Sequence, residues 1–330
     1  MTPRLRIVRA GPLVTLQDRG RHGFRRYGVS VSGPMDWTAH GLALALAGCA
    51  AGDPAFEVGP GGLTVEAEGA PVRIGVAGFA HRAEIGAAGM GLVVVPAPAR
   101  IVLEPGQRLT LRASGAGVWG ALAAGGLDPG PPVLGSHAFN PRTALGPPRP
   151  VEGACYPCLA AELAPPLPHL DPLLPMQNDP VRILPGPQHH LFPREAREAL
   201  VRAPYEVTRQ ADRMAYRVTG PPVLAPSHDI VSDGLVEGAM QVPPDGQPLV
   251  LCADRAPTGG YAKIAVVSRA DLPRLVQMRA GDAVRFTWST LEDAQARTAM
   301  LERVVASPEP RRRRPVHPAF LASLARRRRA

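Results

Sequence analysis

Proline and glycine interrupt this chain so often that they favour short strands and turns over long helices. The 330 residues include 39 prolines and 35 glycines. Six of the prolines fall within residues 164–180, and a run this rich in proline forms neither a helix nor a central strand. We therefore predict an N-terminal domain over residues 1–163, a proline-rich linker over 164–180 and a C-terminal domain over 181–305.

Within both domains, short apolar stretches alternate with turn residues, which is typical of β-strands. Predicted strands include residues 5–8, 63–66, 72–76, 108–111, 181–184, 247–252 and 264–267. Helical signals are few. A helix starting at Pro34 and ending at Gly48, another over 194–202 and a capped one over 291–305 are predicted. The fold class is therefore mainly β with a few short helices, and two barrels or sandwiches fit better than a βαβ sheet.

A weak internal repeat supports two domains of similar topology. Gly11 recurs as Gly186 and Gly106 recurs as Gly281, both at an offset of 175 residues. A strand followed by a glycine turn is common, but one offset shared by two separated pairs is less so. We interpret the pattern as tandem domains.

The basic character of the chain is concentrated in its last 25 residues. Residues 306–330 contain eight arginines and one acid, so +7 of the formal net charge of +9 lies there and only +2 in the rest. This segment cannot bury enough apolar surface to offset its ordering entropy, and we predict a disordered tail. The nearly neutral body and an aromatic content of 5% argue against nucleic-acid binding.

Several function classes lack their motifs. Lys263 is the sole lysine and is followed by Ile264, so the chain has no P-loop. No apolar stretch is long enough for a membrane helix, and no signal-peptide pattern is visible, so we predict a cytoplasmic protein with no membrane partner. Cys155-x-x-Cys158 has no second pair, which favours inert thiols over a metal site.

Two polar segments are candidates for a binding site. The first spans residues 16–36 and precedes a predicted helix, whose N-terminus can hold an anion. Its candidate residues are Gln17, Asp18 and Asp36. The alternative is a structural loop in which Asp18 and Asp36 are turn or cap residues.

The second segment spans residues 241–263. A glycine pair after a strand lets backbone N–H groups face a carboxylate or phosphate, and neighbouring hydroxyls and a lysine add donors. Its candidate residues are Gln241, Asp254, Thr258, Gly259, Gly260, Tyr261 and Lys263. The alternative is a hairpin turn. Upstream, Arg213 is a candidate bidentate anion clamp, with a surface ion pair as the alternative.

An ordered set of short stretches carries a family resemblance. They are L-Q-D-R-G-R-H-G at 16–23, S-G-P-M-D at 32–36, A-F-E at 55–57, R-I-L-P-G-P at 182–187, A-D-R-M-A-Y-R-V-T-G at 211–220, Q-V-P-P-D-G-Q-P-L-V-L at 241–251 and D-R-A-P-T-G-G-Y-A-K-I at 254–264. Together they resemble the allophanate-hydrolase-subunit-2 family, also described as the KipA family or the family of the 5-oxoprolinase C-subunit. The same module is the second half of the carboxyltransferase domain of urea carboxylase.

The resemblance implies two tandem cyclophilin-like β-barrels and two partners, a subunit-1 (KipI-like) protein and a LamB/YcsF-type subunit. Such a complex resembles the ATP-dependent 5-oxoprolinase, which opens the lactam of 5-oxoproline to L-glutamate. A lactam is a poor electrophile, and phosphorylation of its carbonyl oxygen activates it in a site that stabilises the developing charge. The implied cofactors are ATP and, with it, Mg²⁺, held by this chain or by a partner.

Residue chemistry suggests individual roles, which the resemblance does not assign. We predict that Arg213, Asp254 and Tyr261 are catalytic. We predict that the remaining candidates bind substrate: Gln17, Asp18, Asp36, Gln241, Thr258, Gly259, Gly260 and Lys263. No metal ligand is predicted in this chain, although Gln241 and Asp254 could also orient magnesium.

The motif set leaves two alternative functions open. One is carboxyl transfer, as in urea carboxylase, which needs a biotinyl lysine on another chain because Lys263 does not lie in a carrier hairpin. The other is a non-catalytic KipA-type regulator that binds a KipI-like inhibitor of a sensor kinase.

Overall fold

The computed structural model describes residues 2–78, 81–87, 92–113, 115, 117–161 and 179–307. Nearly all of the predicted linker (164–180) and of the predicted tail (306–330) lies outside these residues. Strands dominate the described ranges and helices are few, which confirms the mainly β prediction.

The first half of the chain forms two antiparallel sheets. Its strands are β1 (Arg4–Ala10), β2 (Val14–Gln17), β3 (Ala55–Val58), β4 (Leu63–Glu68), β5 (Val72–Gly78), β6 (His81–Gly86), β7 (Val93–Pro96), β8 (Ala99–Leu103), β9 (Arg108–Ala113), β10 (Gly120–Ala124) and β11 (Cys155–Pro157). One sheet has the order β11-β1-β4-β9-β6-β7 and the other β2-β3-β10-β5-β8. On β4 the residues Leu63, Val65 and Ala67 are buried and their neighbours are half-buried, so the period of two in the sequence directs one face into the core.

The second half forms one large sheet and a separate two-stranded ribbon. Its strands are β12 (Val181–Pro185), β13 (Tyr205–Ala211), β14 (Ala215–Thr219), β15 (Asp229–Gly234), β16 (Ala239–Gln241), β17 (Leu249–Leu251), β18 (Thr258–Tyr261), β19 (Lys263–Val267), β20 (Ala283–Val284) and β21 (Phe286–Trp288). The large sheet, of order β20-β13-β14-β17-β16-β19-β12-β21, is nearly closed and barrel-like. Strands β15 and β18 pair only with each other among the described residues, and we call this pair the ribbon.

The helices are α1 (Trp37–Ala47), α2 (Arg194–Arg202), α3 (Leu272–Val276) and α4 (Leu291–Ala306). The predicted start of α1 at Pro34 is wrong, because Ser32 and Gly33 have positive φ angles of 61° and 99° and the chain still turns there. The helix begins only after Asp36, whose side chain accepts the N–H groups of Thr38 and Ala39. The end of α1 at Gly48 is confirmed.

One of the two glycine pairs that suggested a repeat, Gly106 and Gly281, occupies similar turns. Gly106 and Gly281 have φ angles of 81° and 94°. The N–H of Gly106 donates to the carbonyl of Ala67 at 2.8 Å, and the N–H of Gly281 donates to that of Val207 at 2.9 Å. Each turn therefore starts a strand that pairs antiparallel with its acceptor strand, β9 with β4 and β20 with β13.

The two halves pack together through side chains of the first that enter the core of the second. Met35 and Trp119 are buried in the same apolar cluster as the barrel residues of the second half. The indole N–H of Trp119 donates to the hydroxyl of Tyr216 at 3.2 Å. None of the described helices is long and apolar enough to span a membrane.

Candidate functional site

A buried arginine joins the two halves of the chain. Arg213 lies just before β14 and is 7% exposed. Its Nε donates to Oδ2 of Asp254 at 2.7 Å, and its Nη2 donates to Oδ1 of Asp254 at 3.1 Å and to the carbonyl of Gly33 at 2.7 Å. Its Nη1 donates to Oε1 of Glu57 on β3. We call Arg213, Asp254, Glu57 and the Gly33 carbonyl the interdomain brace.

The brace holds two carboxylates and one guanidinium away from water. Burial lowers the pKa of Arg213, but Glu57 and Asp254 outweigh it and the net pKa is raised. Burial raises the pKa of Glu57, against the opposing effects of Arg213 and of the Met35 N–H, which donates to Oε2 at 2.6 Å. Arg213 therefore stays charged, and its donors bind protein groups rather than an external anion. Of the two interpretations of Arg213, the geometry fits an ion pair, although this pair is buried rather than on the surface.

The first polar segment anchors loops of the first half. Gln17 donates to the Phe139 carbonyl at 2.9 Å and accepts the Gly33 N–H at 3.2 Å, which places it next to the brace. Asp18 accepts the Ser136 hydroxyl and the His137 N–H, each at 2.6 Å. Both carboxylate oxygens of Asp18 are thus engaged by the chain itself, as expected of a turn residue.

Asp36 combines a helix cap with a contact between the halves. Besides capping α1, its Oδ2 accepts the side-chain amide of Gln277 at 2.8 Å. Burial raises the pKa of Asp36, and the hydrogen bonds from Ala39, Thr38 and Gln277 act in the opposite direction. The cap alternative considered for Asp36 fits this geometry.

The second polar segment forms a separate group on the ribbon. Gln241 on β16 is 6% exposed, and its side-chain amide donates to the Tyr261 carbonyl at 3.3 Å. A Cβ built on Gly259 would lie 2.9 Å from Nε2 of Gln241, so this glycine makes room for the amide. Tyr261 is 38% exposed, and its hydroxyl has no hydrogen-bond partner among the described residues.

Gly260, unlike Gly259, does not have to be a glycine to avoid a clash inside the protein. A Cβ built on it would meet the Ile230 carbonyl at 3.5 Å and Oγ of Ser232 at 3.8 Å, which are ordinary contacts, and its φ is not positive. Glycine inside a strand costs stability and often marks a place where a ligand or another backbone comes close. The stretch of β18 at Gly260, close to the exposed Thr258, is therefore the best candidate for ligand contact on the ribbon.

Lys263, the sole lysine, lies behind the ribbon. Its side chain is 1% exposed, and its Nζ is 3.0 Å from Oδ2 of Asp233 on β15. The ammonium ties the base of β19 to the ribbon. It is sequestered from any ligand on the outer face.

The structure thus brings the predicted residues into two places. Gln17, Arg213 and Asp254 meet at the brace, and Gln241, Gly259 and Tyr261 meet on the ribbon. Residue reasoning assigned no role to Glu57, which lies 156 positions from Arg213 in the sequence. The sequence pointed to Glu57 only through the family-like stretch A-F-E at 55–57, and no rule of sequence spacing links Glu57 to Arg213.

The candidate residues in the described part of the chain do not form a magnesium site. Among the described residues, no three His, Cys, Asp or Glu side chains are grouped to hold a metal. Both oxygens of Asp254 are held by Arg213, and Gln241 is tied to Tyr261. All four cysteines are free thiols, and burial raises the pKa of Cys158 to about 12, which fits the prediction of inert thiols.

The overall fold is that of carboxyltransferase-like domains. The solved urea carboxylase of Kluyveromyces lactis aligns with a TM-score of 0.80 over 94% of this chain and 30% of that chain, at 21% identity. The chain belongs to the family described as carboxyltransferase domain, subdomain A and B, whose model matches residues 27–288.

Relatives narrow this assignment further. The protein named as the C-subunit of 5-oxoprolinase in Escherichia coli is 35% identical over 88% of this chain and 93% of its own length. The protein of the same name from Haemophilus influenzae is 32% identical over 85% and 89%. The solved protein TTHA0988 is 34% identical with a TM-score of 0.76, and this chain spans 56% of that longer chain.

Proposed function

We propose that the chain is the C-subunit of an ATP-dependent 5-oxoprolinase complex that opens 5-oxoproline to L-glutamate. The observation that carries the proposal is the 35% identity to the Escherichia coli protein across nearly the whole of both chains. The same relatives are named as subunits, which supports activity together with partner subunits. We propose that these partners are a subunit-1 (KipI-like) protein and a LamB/YcsF-type subunit.

The proposed chemistry requires hydrogen-bond donors, whereas the nucleophile is water and not a side chain. Transfer of the γ-phosphoryl group of ATP to the lactam oxygen releases ADP and creates an electrophile. Water adds to the activated carbon, the ring C–N bond breaks, and a second water releases phosphate to leave L-glutamate. Negative charge develops on the phosphoryl oxygens during the transfer. Prearranged hydroxyl and backbone N–H donors stabilise that charge in a site sheltered from water. The ribbon offers such donors at Thr258, Gly260 and Tyr261.

In this proposal the brace positions the two halves of the chain and takes no part in the reaction itself. Arg213 and Asp254, for which the sequence suggested catalysis, satisfy each other's hydrogen bonds and hold Gly33 against the second half. Because the carboxylates are committed in this way, no step is assigned to a metal in this chain. We propose that ATP and its Mg²⁺ are held where partner subunits meet the ribbon.

Carboxyl transfer is a second candidate because a putative urea carboxylase from Emericella nidulans is 28% identical over 91% of this chain and 25% of its own length. A biotin-carrying lysine must be reachable by a ligase and swing between sites. Lys263 is buried and paired with Asp233. Such a reaction would therefore need a separate carrier protein.

Reconstitution tests the proposal. The chain is combined with a subunit-1 (KipI-like) protein and a LamB/YcsF-type protein, and glutamate formed from 5-oxoproline is measured with and without ATP. Tyr261→Phe should lower kcat about 100-fold because it removes one charge-stabilising donor. Tyr27→Phe is the matched control, since Tyr27 is exposed and lies on the first half. No ATP-dependent glutamate from the wild-type complex would refute the proposal. Inhibition or release of a sensor-kinase inhibitor without turnover would favour the regulator instead.

A further inference from the structure

The ribbon of the second half is held at its base by an arginine of the first half. Arg25 begins a short 3-10 turn in the loop after β2. Its Nη2 donates to the carbonyl of Leu235 at 2.5 Å and to the carbonyl of Pro257 at 2.8 Å. Leu235 directly follows β15 and Pro257 directly precedes β18, and Gly234 pairs with Thr258 in the antiparallel register. One nitrogen therefore binds both strands of the ribbon at the same end.

Neighbouring contacts reinforce this grip. The N–H of Leu235 donates to the same Pro257 carbonyl at 3.0 Å. The hydroxyl of Ser30, also in the first half, donates to the Arg255 carbonyl at 2.9 Å. Arg255 in turn points its Nε at the Leu235 carbonyl, 3.4 Å away. The loop after β2 therefore reaches, through two of its residues, the segment that leads into β18.

Arg25 has no competing ionic role that would explain it. Within the described residues, no carboxylate lies within salt-bridge distance of Arg25. A guanidinium has five donors in a fixed fork, which suits it to bridging two carbonyls in one plane. An isolated two-stranded ribbon is marginal without outside support.

We propose that Arg25 is a positioning residue that couples the first half of the chain to the ligand-contacting strand β18. By holding the carbonyls of Leu235 and Pro257, it sets where Thr258, Gly260 and Tyr261 stand relative to the loop of residues 16–36. The inference rests on the proposed function for its catalytic consequence, but its structural part concerns this chain alone.

Hydrogen exchange of the isolated chain tests the structural part. Arg25→Met keeps the apolar stem and removes the donors, so amides of residues 258–261 should exchange about tenfold faster or more, because charged hydrogen bonds are lost. Arg25→Lys should recover part of the protection through one remaining donor. Arg26→Met is the matched control, since the neighbouring Arg26 stacks on Tyr27 and holds no group of the second half.

Ser30→Ala is a milder variant that can be tested if Arg25→Met fails to fold. It should speed hydrogen exchange of the same amides by a smaller factor. Unchanged exchange at residues 258–261 in Arg25→Met, or in Ser30→Ala if that variant alone folds, would overturn the inference. So would acceleration spread evenly over both halves, which would indicate general destabilisation.

The catalytic consequence of the inference is tested by measuring kcat and KM in the reconstituted complex. Arg25→Met should lower kcat for folded protein with a smaller change in KM, and Arg25→Lys should restore part of the loss. A faster-exchanging ribbon with unchanged kcat and KM would refute a positioning role. A wild-type complex without activity would instead count against the proposed function, and the exchange data would still decide whether Arg25 holds the ribbon.

Discussion

Removing Arg213 should unbalance a buried group of charges, since Arg213, Glu57 and Asp254 are all at most 7% exposed. The replacement Arg213→Met keeps most of the apolar stem but leaves Glu57 and Asp254, whose side chains are 3% and 1% exposed, without their counter-charge. Breaking a buried ion pair from one side costs about 3–5 kcal/mol, because the remaining charge stays buried. Here two carboxylates lose the same partner, so we expect a value at the upper end of that range.

The pH dependence of this loss follows from Glu57. Burial already raises its pKa while Arg213 opposes the rise. Without the guanidinium the pKa of folded Glu57 rises further, so the folded variant binds a proton more readily than the unfolded chain does. That contribution is present at low pH and is lost as the pH rises through the folded pKa. The stability deficit of Arg213→Met should therefore shrink from about pH 7.5 to about pH 5.5.

Urea unfolding of both proteins at the two pH values measures the deficit. Arg209→Met is the matched control, because Arg209 is exposed on neighbouring β13 and has no partner of this kind. Adding Glu57→Gln to Arg213→Met should recover part of the loss and remove most of the pH dependence. A deficit below about 1 kcal/mol, or one that is equal at both pH values, would refute the reasoning.

Three further predictions concern single groups. Burial lowers the pKa of His40 to about 4, and both of its ring nitrogens are buried without a partner among the described residues. Acid should therefore destabilise the fold as the pH falls from about 6.5 towards 4. The urea midpoint of His40→Leu should fall less on acidification than that of wild type, and an equal fall would contradict this. Gly259→Ala should lower the unfolding midpoint, because its Cβ would lie 2.9 Å from Gln241 and 3.0 Å from Leu235. Gly260→Ala should leave the free energy of unfolding within about 1 kcal/mol of wild type yet lower turnover in the reconstituted complex; unchanged turnover would argue against a ligand at Gly260.

Local patterns were sufficient to predict much of the fold. Apolar alternation with Gly and Pro turns predicted most strand cores, because both signals act over a few residues. The turn glycines Gly106 and Gly281 predicted a repeat, and their matching hydrogen bonds support it. The start of α1 was misplaced because Ser32 and Gly33 adopt left-handed backbone, whereas a cap signal at Asp36 was available three residues later.

The functional assignments depended on distance in space rather than in sequence. Family motifs located Arg213, Asp254 and the ribbon glycines, but their chemistry alone suggested that Arg213 would bind an external anion. Its actual partners, Glu57 and Gly33, lie 156 and 180 positions away. Likewise nothing near Arg25 indicates that it reaches Leu235, 210 positions further on.

The sequence by itself therefore determined the class of fold and the family, while the tandem domains and the site residues stay predictions. Only the tertiary structure decided which of those residues satisfy one another and which keep free donors. The physical reason is that a polar side chain in a folded protein binds whichever partner packing brings within reach. Arg213 is thereby committed to the brace, whereas the side chain of Tyr261 on the ribbon is 38% exposed.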